Sequence, residues 1–131
     1  MGTRCIIRVR ETLDNPNDEV VIYRHWDGYP DGVVPDLLKL IEEGYVWMLP
    51  RYEPDEFAAG VVAFMKRVEP ERQKMGRQFM GGNIRIYTSQ SENPSDIEYE
   101  YHIGFDKDEG LQLHVYDIYR GGLKLINLWK K

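Results

Sequence analysis

Five side chains that could do chemistry lie close together in residues 25–31. They are His25, Trp26, Asp27, Tyr29 and Asp31. An imidazole and two carboxylates can act as acid–base groups or as metal ligands, and the two rings can form a stacking surface. Gly28, Pro30 and the adjoining Gly32 are equally typical of a structural turn, which is the commoner arrangement. We therefore predict a ligand site at this turn and keep the structural alternative beside it.

A second group of candidate residues is basic. Six of the 17 Lys and Arg residues fall between positions 66 and 85, and they are Lys66, Arg67, Arg72, Lys74, Arg77 and Arg85. Glycines in the same window would let backbone amides and guanidinium groups approach a phosphate. We take Arg72, Lys74 and Arg77 as the residues that help the turn to bind an anion. The alternative is a solvated connection between a helix and a strand.

Three arginines alternate along the first predicted strand, at positions 4, 8 and 10. Alternate residues of a strand point to the same face of the sheet, so these side chains share one face. They could extend the basic surface, or they could pair with the surplus of carboxylates.

Two histidines are expected to face each other across a hairpin. Residues 97–103 and 111–115 alternate strictly between apolar and polar residues, with a five-residue turn at 106–110. A shift of one residue would expose one strand's apolar set, so the register places His102 opposite His114 and Glu100 opposite Tyr116. Together Glu100, His102 and His114 could bind a divalent metal such as Zn²⁺. Ordinary polar residues on a solvated sheet face are the simpler alternative.

The hydrophobic period predicts the elements that hold these residues. Residues 3–10 and 19–24 are predicted to form an antiparallel hairpin around a turn rich in Asp, Asn and Pro. Apolar residues spaced i, i+3, i+4 and i+7 from Val34 predict a helix with Pro35 in its first turn. In that helix Asp36 would complement the positive end of the dipole. A second helix is expected from Pro54 to about Pro70.

From residues 81–82 onward the period returns to two, which predicts a C-terminal meander of about four strands. The expected fold is α+β, a mostly antiparallel sheet of about six strands with two helices on one face. Residues 1–131 are read as one domain.

Composition excludes several classes of protein. The chain has 131 residues and a net charge of −5, which argues against a generally basic nucleic-acid coat. Cys5 is the single cysteine, so no internal disulfide can form, and its position predicts a small buried side chain. No apolar run reaches the ~20 residues that span a bilayer, and no signal-peptide core is visible. We expect a cytoplasmic protein.

The run His25-Trp26-Asp27-Gly28-Tyr29-Pro30-Asp31-Gly32, followed by Leu37 and Leu38, resembles a known signature. It is similar to a set of small uncharacterised proteins from phages, archaeal viruses and prokaryotes, which carry His-Trp-Asp-Gly-Tyr-Pro-(Asp/Glu)-Gly ahead of a Leu-rich helix. The resemblance implies a viral or mobile-element origin and carries over no catalytic residue. It makes this turn the first place to look for a site.

Three functions follow from these observations, in order of preference. The first is a binding module for a small anionic, nucleotide-like ligand or a host macromolecule at the turn; nucleic acid is a less favoured partner. The second is a protein–protein interaction or homo-oligomeric module that works through aromatic residues of the sheet. The third is a metal-assisted hydrolase built on the histidines.

Overall fold

The computed structural model describes residues 3–72, 84–88 and 96–131, with the side chains of residues 69–72 outside the description. The elements in chain order are β1 (Arg4–Arg10), β2 (Glu19–Arg24), α1 (Pro30–Glu42), α2 (Pro54–Arg72), β3 (Ile84–Tyr87), β4 (Ile97–Asp106), β5 (Gly110–Asp117) and β6 (Leu123–Lys130). The strands form one six-stranded sheet in the order β3-β2-β1-β4-β5-β6. Both helices lie on one face, so the α+β class and the mostly antiparallel sheet predicted from the sequence are confirmed.

The core lies between this sheet face and the helices. Cys5, Ile7 and Val9 of β1 are fully buried against a cluster that includes Leu37 of α1 and Phe57 of α2. The alternating apolar residues of the strands and the apolar stripes of the helices therefore form one apolar layer. The intervening residues of the strands point to the opposite side, which we call the outer face.

The sheet differs from expectation in how its two halves join. β1 pairs with β2 antiparallel and with β4 parallel, which makes it a central strand. β3 does not begin the C-terminal meander; it pairs with β2 at the far edge. There its Ile84 is buried in the core that α2 covers. The meander therefore has three strands, β4 to β6, because β3 buries its apolar residue beside the N-terminal hairpin.

Both helices extend beyond their predicted limits. α1 begins at Pro30, so Pro35 lies inside the helix and Asp31, rather than Asp36, occupies the first turn. Proline is well suited to the first helical position, where its missing N–H would have had no helical acceptor. α2 continues past Pro70 to Arg72. No helix among the described residues has the length and apolar character needed to cross a membrane.

A buried ion pair joins the sheet to α1. Arg24 at the end of β2 is 1% exposed, and its Nη1 lies 2.8 Å from Oδ2 of Asp36, which is 2% exposed. Nε of Arg24 also donates to the carbonyl of Trp26 at 2.8 Å. The apolar stripe of α1 thus has a charged residue on its buried side. Asp36 neutralises Arg24 there and does not serve as a helix-end charge.

We expect Asp36→Asn to lower the free energy of unfolding by about 3–5 kcal/mol, because it leaves the Arg24 guanidinium buried without a counter-charge. Denaturation in urea measures the change. Glu43→Gln is the matched control, since Glu43 forms a more exposed pair with Lys39 at 3.8 Å and should cost at most about 1 kcal/mol. Equal losses of unfolding free energy in the two variants would show that the buried ion pair stabilises the protein no more than the exposed one does.

Candidate functional site

The turn at residues 25–31 is held tightly against the start of β1. The amide of Gly28 donates to the carbonyl of Thr3 at 2.8 Å, and the hydroxyl of the buried Tyr101 donates to the carbonyl of Gly28 at 2.6 Å. A Cβ at position 28 would lie 2.7 Å from the Thr3 carbonyl oxygen and 2.9 Å from Cβ of Cys5. Only glycine fits this close approach. The backbone of the turn is therefore a structural anchor.

The predicted side chains of the turn divide into two groups. His25 is half-buried, its Nδ1 lies 2.6 Å from the hydroxyl of Tyr23, and its ring meets Trp26 edge to face at 4.7 Å. Asp27 has a left-handed backbone (φ 54°) and accepts a hydrogen bond from Tyr29 at 3.1 Å. Asp31 is exposed in the first turn of α1. Among the five predicted side chains of the turn, His25 contacts the outer face of the sheet, through Tyr23.

Aromatic and cationic side chains surround His25 on that face. The Arg85 guanidinium carbon lies 4.7 Å from the ring centre of Tyr23 and 5.8 Å from that of Tyr87, and the two rings stack at 5.9 Å. Arg4 lies on the same face and pairs with the exposed Asp96 at 3.5 Å. We call Arg4, Tyr23, His25, Arg85 and Tyr87 the outer-face patch. Tyr23 and Tyr87 were missed because strand tyrosines look like ordinary packing residues.

The outer-face patch has a positive electrostatic potential at the imidazole. Burial lowers the pKa of His25, and the charges of Arg4 and Arg85 lower it further. Burial also raises the pKa of Tyr23, so this phenol stays neutral. The patch therefore holds two permanent cations beside a neutral imidazole and two rings.

The predicted basic partners of the turn fall mostly outside the described residues. This applies to Lys74 and Arg77 and to the side chain of Arg72. The described chain resumes at Ile84, which is paired with Arg24, one residue before the turn begins. Arg85, from the same basic window, is the member that the structure places in the outer-face patch.

The two histidines of the meander face each other as predicted. β4 and β5 pair His102 with His114 and Glu100 with Tyr116, all on the outer face. The ring of His102 packs 4.6 Å from that of Tyr116. Burial lowers the pKa of His114. The predicted register is confirmed.

Two of the three predicted metal ligands, Glu100 and His102, already contact arginines and each other. Glu100 Oε1 lies 2.5 Å from Nε of Arg8 and 2.9 Å from Nε2 of His102. Nδ1 of His102 lies 3.2 Å from Nη1 of Arg10, and both arginines also pair with Glu19. Because arginine only donates, Nδ1 must accept, and the His102 proton resides on Nε2.

No group of three or more His, Cys, Asp or Glu in the described parts of the chain could hold a metal ion. Glu100 and His102 thus belong to a hydrogen-bonded network with Arg8 and Arg10, and His114 faces His102 from the neighbouring strand. Cys5 is fully buried, and burial raises the pKa of its thiol to about 12, so it packs as the small hydrophobe predicted.

We expect Glu100→Gln to lower the free energy of unfolding at pH 7 by about 1–3 kcal/mol, because Arg8 and His102 lose a charged acceptor. The hydrogen bond from His102 and the contacts with Arg8 lower the pKa of Glu100 from 4.5 to about 2, although burial opposes them. The stabilisation is complete above about pH 4.5 and is lost as the pH falls through about 2.

Urea denaturation at several pH values between 7 and 2 measures this effect. The difference between wild type and Glu100→Gln should shrink across the acidic window. Glu98→Gln, on the same strand, is the control and should show a difference that does not follow this window. A gap between wild type and Glu100→Gln that stays constant down to pH 2 would contradict the assignment.

Comparison of the chain with protein-family models, with curated proteins and with solved structures finds no match in any of the three.

Proposed function

We propose that the protein is a binding module for a small anionic ligand that carries a planar ring, such as a nucleotide, at the outer-face patch beside the turn. The observation that carries the proposal is the convergence of Arg4, Arg85 and His25 on one face, next to the stacked rings of Tyr23 and Tyr87. Guanidinium groups bind phosphate through paired N–H donors, and the half-buried ring of Tyr87, which stacks on the buried Tyr23, offers a face to a planar base.

Two arginines of the outer-face patch, Arg4 and Arg85, are accessible to an anionic ligand. Arg4 is 31% exposed and its carboxylate partner Asp96 is 74% exposed, so the ion pair between them is weak and an anion can compete for Arg4. Arg85 is exposed and forms no ion pair within the described residues. Arg8 and Arg10, four and six residues farther along β1, are committed to Glu19 and Glu100. Available positive charge on β1 is therefore concentrated at its N-terminal end.

The turn has a supporting role in this proposal. Gly28 ties it to β1, and Trp26 packs against His25, so the imidazole is held in a fixed position. Asp27 and Asp31 are carboxylates and would repel an anion, so we assign them to the turn: Asp27 orients Tyr29, and Asp31 complements the start of α1. Arg72, Lys74 and Arg77 remain candidates for additional phosphate contacts.

A thermal-shift screen with nucleotides and pyrophosphate tests the proposal. A ligand that binds only the folded state stabilises it by about 2.7 kcal/mol at a concentration 100 times its Kd. We expect Arg85→Gln to remove most of the shift. Arg120→Gln, which loses the same charge from an exposed turn, should retain it.

NMR titration of the His25 ring supplies a second readout. Arg85→Gln and ligand binding should both raise the pKa of His25, because the first removes a nearby cation and the second adds an anion. A panel in which no compound shifts the melting temperature, or equal losses in Arg85→Gln and Arg120→Gln, would contradict the proposal.

An alternative function is a homo-oligomeric interaction module, which a different observation favours. β6 is an edge strand, and its Leu123 and Leu125 are 57% and 53% exposed. Ile118 and Tyr119, in the connection before it, are also exposed. Edge strands with exposed apolar residues tend to pair with another chain.

If the alternative is correct, sedimentation equilibrium at micromolar concentration should detect a dimer that Leu125→Lys dissociates. Leu38→Lys is the control, since Leu38 is an exposed leucine of α1 and its substitution should leave the association unchanged. A monomer at every concentration would exclude this alternative.

A further inference from the structure

Two adjoining hollows open at the opposite end of β1 from the outer-face patch. Their volumes are about 520 and 500 Å³, within the range of ligand-binding pockets. Glu11, which follows β1 directly, and Tyr52, just before α2, line both hollows. The two spaces are therefore neighbours on either side of the same pair of residues. We call them the paired hollows.

The first hollow has a rigid aromatic wall. Tyr52 stacks on Phe105 at 5.8 Å, and Phe105 stacks on Trp129 at 6.1 Å. The Tyr52 hydroxyl donates to the carbonyl of Arg10, which fixes the ring. Burial and the nearby Glu11 raise the pKa of Tyr52, so its hydroxyl stays neutral. Tyr52 and Phe105, which line the hollow, offer a flat, preformed surface for an aliphatic chain or a planar cation, and Trp129 supports Phe105 from behind.

Carboxylates surround this wall. Those that line the paired hollows without an ion pair inside the described part of the chain are Glu11, Asp14, Asp18, Glu53, Asp55 and Asp106. Backbone amides of Glu109 and Asp108 lower the pKa of Asp106, which keeps that carboxylate charged. Among the described residues that line the two spaces, Lys107 is the one basic residue. The hollows thus combine apolar walls with a strongly negative rim.

We propose that the paired hollows bind two neighbouring arginine or lysine side chains of a basic peptide segment in a partner protein. Long cationic side chains pack their methylene stems on apolar surface and keep their charged ends near carboxylates. A bare metal ion would gain nothing from the aromatic wall, and the described residues include no group suited to hold one. The proposal uses none of the residues of the outer-face patch, so the two can fail separately.

Fluorescence anisotropy with a labelled peptide of alternating arginine and alanine tests this site. We expect saturable binding that weakens as the salt concentration rises, because the carboxylates of the rim are exposed. Glu11→Gln, which removes a charge shared by both hollows, should weaken binding about two- to fivefold. The backbone carbonyl of Glu11, which accepts a hydrogen bond from the amide of Phe105, is not altered.

Glu42→Gln is the matched control. Glu42 is an exposed carboxylate at the end of α1, and its loss changes the net charge equally. It should leave peptide affinity unchanged, whereas Glu53→Gln should repeat the effect of Glu11→Gln from the second hollow. Melting temperatures equal to wild type confirm that each variant is folded.

Three results would overturn the proposal. One is the absence of saturable peptide binding at low salt. Another is an equal loss of peptide affinity in Glu11→Gln and Glu42→Gln, which would show that the peptide responds only to the net charge of the protein. The third is a free polyamine such as spermine that binds as tightly as the peptide with the same dependence on Glu11. That result would assign the hollows to a small organic cation.

Discussion

The arrangement of this protein depends on how one charge is buried at the end of β2. Arg24 points to the core side of the sheet, where a lone guanidinium would be very costly, and Asp36 of α1 meets it there at 2.8 Å. The same arginine binds the Trp26 carbonyl, so one side chain connects β2, the turn and α1. The position of His25 relative to β1 and β3 follows from this connection, as does the entry of α1 onto the sheet.

The outer face of β1 shows how burial and pairing separate chemically identical residues. Arg8 and Arg10 lie where β2 and β4 supply Glu19 and Glu100 as close partners, so their charges stabilise the sheet. Arg4 lies at the start of the strand, where its partner is the exposed Asp96. Three arginines on the same face of one strand thus have two different roles, decided by which carboxylates lie beside each of them.

Local patterns predicted much of the fold. Strict alternation in residues 97–103 and 111–115 was sufficient to predict the pairing of His102 with His114, because a one-residue shift would expose an entire apolar face. The parallel pairing of β1 with β4 and the position of β3 at the far edge could not be read in the same way. The alternation of apolar and polar residues shows which face of a strand is buried, but it does not show which strands lie beside it in the sheet.

The candidate site shows the same division. The residue types of the turn, the basic window and the facing histidines were all visible in the chain, and so was the burial of Cys5. The tertiary structure decided which groups meet. It placed Arg85 and Tyr87 of an edge strand against Tyr23, the partner of His25, engaged Glu100 and His102 with arginines, and brought Glu11 beside Tyr52. The physical reason is the distance along the chain over which each signal acts. Hydrophobic periodicity and turn chemistry act over a few residues, whereas contacts between charges depend on strand order, which arises from packing of the whole sheet against its helices.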